Sequence, residues 1–400
     1  MYHPRRMALV SALLLVSVPI AAATAGEGGG APPDPGPPVS RGDVDELRRQ
    51  ILEETQSSLE ILLDVHDETG DRNSELDFVR YGARLHLRVR PTTTLFLSAQ
   101  RTPYRTQDRA FSSTATGVTA GLRVRVSPRR EWEAELSATR FGAGDWTLTG
   151  LAGVTFRPND ALRYAVFLQR TNVEESLLSV AGLRPVEGPF AGMLVGGVTD
   201  NRLVASGSYR SPRRFDVYGE AGLGVRVGSN AGHDFFRRAS AGLGYVAVAR
   251  AEEESLSLLR LSAAVDYFGF DDDRLGYGGA SLLDARYRPV PPPALGGDGI
   301  SPLPSEGNPG VGGYFSPQFF ISRGLRVEAR GRPGPRIQYS ASVFVGQQSF
   351  TGVSTRNAAG VAVGLRVRLG GRLSLPVTYS WDDFGPFQQQ SLAARLVMGF

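Results

Sequence analysis

Arginines recur two or four positions apart through several stretches of this chain. Arg84 and Arg88 share one such row, Arg123 and Arg125 a second, and Arg366 and Arg368 a third. Arg226 and Arg395 hold the same kind of place, and Glu133, Glu135 and Glu220 supply an acidic counterpart. A guanidinium keeps its proton at any ordinary pH, so these rows do not suit acid–base catalysis. They suit hydrogen bonding to hydroxyls, pairing with anions, or pairing with their own glutamates. One reading is a hydrated polar wall for a saccharide or an anion. The other is a set of internal ion pairs that stiffen the chain. The excess of arginine over acid points to an electropositive surface.

Other chemistry is sparse. Histidine occurs only at 3, 66, 86 and 233. A hydrolase would need a serine or an acid beside one of them. His86 falls among arginines, and His66 and His233 fall near loops, so no enzyme and no cofactor are expected. Asp271, Asp272 and Asp273 offer oxygen ligands of the kind calcium uses, but the rest of a ligand set is missing. A solvated acidic loop is the expectation, with no metal. Phosphate loops, Cys/His clusters and nucleic-acid motifs are absent from the sequence. A different chemistry is open to Tyr314, Phe315, Phe319 and Phe320, whose rings could stack on sugars or sit at a lipid–water interface. Gln318 stands among them.

The elements that carry these residues have a period of two. Tyr81, Ala83, Leu85, Leu87 and Val89 alternate with Gly82, Arg84, His86 and Arg88. Val118 to Val126 alternates with Thr119, Gly121, Arg123 and Arg125. The final run places Leu392, Ala394, Leu396, Met398 and Phe400 on one face, with Arg395 on the other. Such alternation marks strands with one apolar face. The pattern recurs from about residue 58 to the end, and almost no helix is available to cover the apolar faces. Lipid is the solvent that suits them. The expectation is an all-β, antiparallel, up-and-down transmembrane barrel with the arginines facing its lumen.

Composition agrees. The 400 residues are 21% charged, with a net charge of +4, 49 glycines and no cysteine. That is too polar for a helical membrane protein, and no later stretch is a continuous apolar span. Without cysteine there is no disulfide, so barrel closure must supply stability.

The first residues read as an export signal over 1–25. Arg5 and Arg6 are followed by an apolar run from Met7 to Ile20, with cleavage expected near Ala23 or Ala25. Residues 26–41 form a Gly/Pro-rich linker. Residues 42–57 form a short periplasmic helix, with Asp43 placed to cap it. The barrel occupies 58–400.

Turns supply the topology. Short ones such as Ser127-Pro128-Arg129-Arg130 and Ser211-Pro212-Arg213-Arg214 alternate with long ones at 102–113, 171–189, 269–314 and 347–357. In outer-membrane barrels short turns are periplasmic and long loops are external. An even strand number requires 190–210 to be one strand, bulged near Thr199-Asp200-Asn201. The total is then about sixteen. A bacterial outer membrane and the barrel-assembly machinery are the implied surroundings. Phe400 would serve as the assembly signal.

Three strings resemble a known family: Arg170-Thr171-Asn172-Val173-Glu174-Glu175-Ser176-Leu177-Leu178-Ser179-Val180-Ala181-Gly182, Val265-Asp266-Tyr267-Phe268-Gly269-Phe270, and Gly312-Gly313-Tyr314-Phe315-Ser316-Pro317-Gln318. Their order is similar to that in the C-terminal outer-membrane porin domain of the bacterial cellulose synthase C protein, over about 160–400. The resemblance implies export of a cellulose-like β-glucan through the barrel. It also implies a polysaccharide chain, a synthase complex or a separate periplasmic scaffold as partners. Family members carry a tetratricopeptide array before the barrel, and no repeat of that kind is seen here. A passive anion-selective diffusion porin and a plugged structural or adhesive barrel are the alternatives.

Overall fold

The chain divides into two units, 1–51 and 52–400. The computed structural model describes residues 56–70, 76–105, 112–142, 146–175, 177–182, 194, 196–229, 233–250, 254–271, 317–351, 353–384 and 387–400, all in the second unit. The export signal, the linker, the helix of 42–57 up to residue 55, and Tyr314 and Phe315 lie outside the described residues.

Sixteen strands close into one barrel in sequence order. They are β1 (Ser58–Gly70), β2 (Asp77–Arg90), β3 (Thr93–Arg105), β4 (Ser112–Ser127), β5 (Arg130–Arg140), β6 (Trp146–Phe156), β7 (Leu162–Asn172) and β8 (Gly196–Arg210). The second half holds β9 (Phe215–Ser229), β10 (His233–Ala249), β11 (Leu258–Phe270), β12 (Phe320–Gly331), β13 (Ile337–Phe350), β14 (Val353–Arg368), β15 (Leu373–Phe384) and β16 (Phe387–Gly399). Every neighbouring pair is antiparallel, and β1 closes on β16 from Ser58 opposite Gly399 to Gly70 opposite Phe387. Closure leaves no edge strand, so every strand has a partner on both sides.

Register carries the sequence alternation around the wall. Leu59, Leu85, Leu97, Ala120 and Leu136 form one row across β1 to β5. The adjacent row is Glu60, Arg84, Ser98, Thr119 and Ser137. The first row belongs to the face whose large apolar side chains are exposed, among them Leu97, Val118 and Leu136. This is the lipid face. The second row belongs to the lumen.

Both described ends of the chain lie on one rim with the seven turns that follow the even strands up to β14. Local chemistry makes these turns tight. Ser127 Oγ accepts from Arg129 N at 3.3 Å, and Ser211 Oγ accepts from Arg213 N at 3.2 Å. Asn159 Oδ1 accepts from Ala161 N at 3.0 Å and Leu162 N at 2.8 Å. Side chains of this kind mimic a turn of backbone and fix the reversal. The opposite rim carries the long connections after β7 and β11. This rim is therefore external and the other periplasmic.

Three expectations need correction in detail. The strand before the 211–214 turn is single, but it starts at Gly196, and its register shift falls between Gly196 and Thr199. Gly197, with φ +59°, takes the backbone excursion there, ahead of the expected position. The loop placed at 102–113 is shorter, because β3 runs to Arg105 and β4 starts at Ser112. The loop placed at 347–357 is a tight hairpin, because β13 reaches Phe350 and β14 starts at Val353. In both places pairing continues beyond the lipid, where the outward face no longer has to be apolar.

Inside, aromatic rings lie flat across glycines on the paired strand. Phe96 covers Gly121 and Tyr218 covers Gly242, and Phe167 and Phe236 treat Gly153 and Gly224 alike. A Cβ at any of these glycines would meet the ring. The pairing holds bulky side chains against the wall and keeps them out of the lumen.

Candidate functional site

The site is the lumen, and its polar residues come from the inward rows of all sixteen strands. Arg84, Arg88, Arg123, Arg125, Glu133, Glu135, Arg226, Arg366, Arg368 and Arg395 all occupy inward positions in this register. The structure does not gather them into one cluster. Arg123 Nη2 binds Glu133 Oε1 at 2.8 Å, and Arg125 Nε lies 3.9 Å from Glu131 Oε2. Arg84 lies over the Phe96 ring, 5.7 Å from its centre. Arg88 donates to Thr94 Oγ1 at 3.4 Å and to the Pro91 carbonyl. His86 Nε2 lies 3.5 Å from Glu60 Oε1. Arg366 sits opposite Gln338 and Pro376, and Arg368 opposite Ser374. Arg226 stands apart, in the outer half. Gln318 is exposed at the outer rim, before β12 begins.

The outer half holds a feature that the strand pattern did not show. After β7 the chain turns inward instead of standing outside, and it forms one turn of helix, α1 (Leu177–Ala181). Glu174 accepts from Arg80 Nη2 and from Tyr104 Oη, on β2 and β3. Glu175, the next residue, binds Arg226 Nη2 on β9 at 2.8 Å. Seven steps of a sixteen-strand wall separate β2 from β9, so two adjacent carboxylates tie nearly opposite sides together. Val173 packs with Val198, Phe236 and Phe270, and Ser179 Oγ donates to the Val173 carbonyl at 3.0 Å. The segment crosses the lumen and narrows it. Its sequence signal was a pair of glutamates between apolar residues in what otherwise read as an external loop.

The wall of β13 to β16 differs from the rest. Ser340, Ser342, Gly364, Thr378 and Ser380 line a shallow groove, with Glu328 and Arg330 at its edge. Ser380 and Ser391 share a hydrogen bond of 2.8 Å. The groove itself is lined by small, hydroxylated residues, while β8 to β11 present ion pairs such as Arg238 to Glu220 at 2.7 Å and Arg260 to Asp216 at 3.0 Å. No group of three or more metal-ligating side chains occurs among the described residues.

A closed, even-stranded, antiparallel barrel with an apolar exterior and a polar interior is an outer-membrane β-barrel. A profile of the cellulose synthase operon protein C C-terminus matches residues 79–278, half of the 400 residues. The chain belongs to that family. The match starts in β2 and stops before the Gly312–Gln318 string, so the first strands carry more of the family pattern than the sequence reading assigned them. Among solved structures, a bacterial polysaccharide outer membrane secretin aligns with a TM-score of 0.60 at 13% identity, covering 87% of this chain and 99% of that one. The CymD monoaromatic hydrocarbon channel (TM-score 0.42, 10% identity, 86% and 88% covered) and Salmonella typhi OmpF with daunomycin (0.39, 11%, 87% and 99%) are more distant. No curated protein matches the chain.

Proposed function

We propose that the barrel is the outer-membrane channel through which a polysaccharide, a cellulose-like β-glucan, leaves the cell. Membership of the cellulose synthase operon protein C family carries this reading. The lumen fits it physically. A hydroxylated groove on β13 to β15 can exchange hydrogen bonds with sugar hydroxyls without gripping them. No step of bond making or breaking is needed, since the channel conducts and the synthase or the gradient drives. The chain would be exported, cleaved near Ala23 or Ala25, and inserted by the barrel-assembly machinery. It would then meet a synthase complex or a separate scaffold in the periplasm.

Deleting the gene tests this. Polymer should build up in the periplasm or fall at the surface, while uptake of small solutes stays normal. Slower uptake of small anions with unchanged surface polymer would favour a diffusion porin, the reading that the arginine rows support. A barrel that never conducts would favour a plugged structural role, which the bridging segment supports.

A further inference from the structure

We infer that the exported polysaccharide is acidic, bearing carboxylate or phosphate groups, and that the periplasmic half of the lumen is the site that takes it in. This rests on the export reading and adds that the glucan carries acidic substituents. The lumen arginines fall into two populations. In the outer half they are matched: Arg80 with Glu174 at 2.7 Å, Arg226 with Glu175 at 2.8 Å, Arg238 with Glu220 at 2.7 Å and Arg356 with Asp383 at 3.0 Å. In the periplasmic half Arg84, Arg88, Arg330, Arg366 and Arg395 have no carboxylate within ion-pair distance among the described residues. Most carboxylates present there are engaged elsewhere, and Glu135 on β5 is the described one without an ion-pair partner. Glu60 turns to His86, Glu131 and Glu133 to Arg123, and Asp216 and Glu328 to Arg260.

Stiffening the wall does not require this arrangement. A wall built for rigidity pairs its charges, as the outer half does, because like charges left together repel. Arg366 and Arg395 flank Pro376 from the two neighbouring strands, so they stand two strands apart, roughly 10 Å at about 4.8 Å per strand. Guanidinium groups so spaced offer successive charge-assisted bonds to a chain with repeated anionic groups. The basic character continues past the strand ends. Each of the seven turns on this rim carries an exposed arginine, from Arg90 in the first to Arg372 in the last. The described carboxylates in those turns are Asp160 and Glu254.

The outer half adds acids to its pairs: Asp64 lies 3.7 Å from Arg80 and Asp200 3.8 Å from Arg202, and Glu68, Asp266 and Asp382 stand on the wall as well. An anionic chain is thus drawn in at the periplasmic mouth and is not held at the exit. A neutral glucan would gain hydrogen bonds but no charge attraction from either half.

The test uses the full-length chain in a planar bilayer. Oligosaccharides matched in length across types, in a short and a long set, are added from the periplasmic side: a neutral cello-oligosaccharide, an oligoglucuronate and a phosphate-substituted cello-oligosaccharide. The acidic oligomers should block about tenfold more strongly than the neutral one, and the advantage should shrink as salt rises. The two acidic probes separate carboxylate from phosphate. In the combined variant Arg84→Gln, Arg366→Gln, Arg395→Gln the ratio of acidic to neutral block should fall toward one. Arg366→Gln with Arg395→Gln alone should show part of that loss, should the triple variant fold poorly. Equal block by neutral and acidic oligomers in the unaltered chain overturns the proposal, and so does an acidic advantage that the variants leave intact. An acidic preference that does not grow with chain length overturns it in favour of a small-anion porin. An open channel that no oligomer blocks overturns the export reading itself.

Discussion

Glu174 takes two hydrogen bonds from a single nitrogen of Arg80, at 2.7 and 2.8 Å, across 94 residues of sequence. With Glu175 fixed to Arg226 on the far wall, the short segment between β7 and α1 is a strut whose two ends are ion pairs. It lies across the route that any long chain must take.

Releasing one end should widen that route. Glu174→Gln keeps shape and loses charge, so it should cost about 1.5–3 kcal/mol of local anchoring, typical of a hydrogen bond to a charged group. Single-channel conductance should rise, with more open–closed flicker, and Glu175→Gln should act in the same direction. Conductance identical to that of the unaltered chain would show that the segment does not limit flow.

The two faces of the wall predict different tolerances. Leu85 and Leu365 lie on the lipid face, and arginine at either should destabilise by about 2–4 kcal/mol near the midplane. Arginine at the inward Gly364 should cost less, because its Cβ would meet the mobile Ser340 hydroxyl. Urea titration in liposomes reads the difference. Equal losses on both faces would mean a register wrong by one residue.

Gly121 is inward too, yet it belongs with the intolerant positions. The Phe96 ring lies where its side chain would go. Gly121→Ala should destabilise by about 1–3 kcal/mol through overpacking, and Phe96→Leu should recover part of that loss in the double variant. Strict additivity of the two changes would remove the ring–glycine contact as the cause.

The terminal ring is the last target. Phe400 is exposed, and its backbone N–H is held by the Ser57 carbonyl at 3.0 Å. Phe400→Ala, or a few residues added after it, should lower the amount of folded barrel in the outer membrane, read by heat-modifiable migration. An unchanged folded fraction would mean that the ring plays no part in assembly.

Lipid explains how much of this was legible. Where the wall touches hydrocarbon, one face must be apolar, so β2, β4 and the end of β16 stand out in the sequence and their arginines can be placed inward without coordinates. Above the hydrocarbon that constraint lapses. Gln347 and Gln348 on β13 and Gln388 to Gln390 on β16 continue their strands with no alternation to announce them. The strut was illegible for another reason. Arg80 and Arg226 become partners of adjacent residues only once the barrel is closed. Which arginines lack acids likewise depends on register, since Arg123 and Arg84 look alike until Glu133 is found beside the first. Tyr314 and Phe315 lie outside the described residues.

The Ser57–Phe400 contact also makes the wall a ring whose starting point is arbitrary. Joining the two described ends with a short linker and opening the chain at Gly370-Gly371 would make β15 the first strand and β14 the last, with every pairing kept. Such a circular permutant would bury the old terminus inside a new turn. Barrel geometry and recognition of a terminal aromatic, inseparable in the natural order, would then be two different molecules.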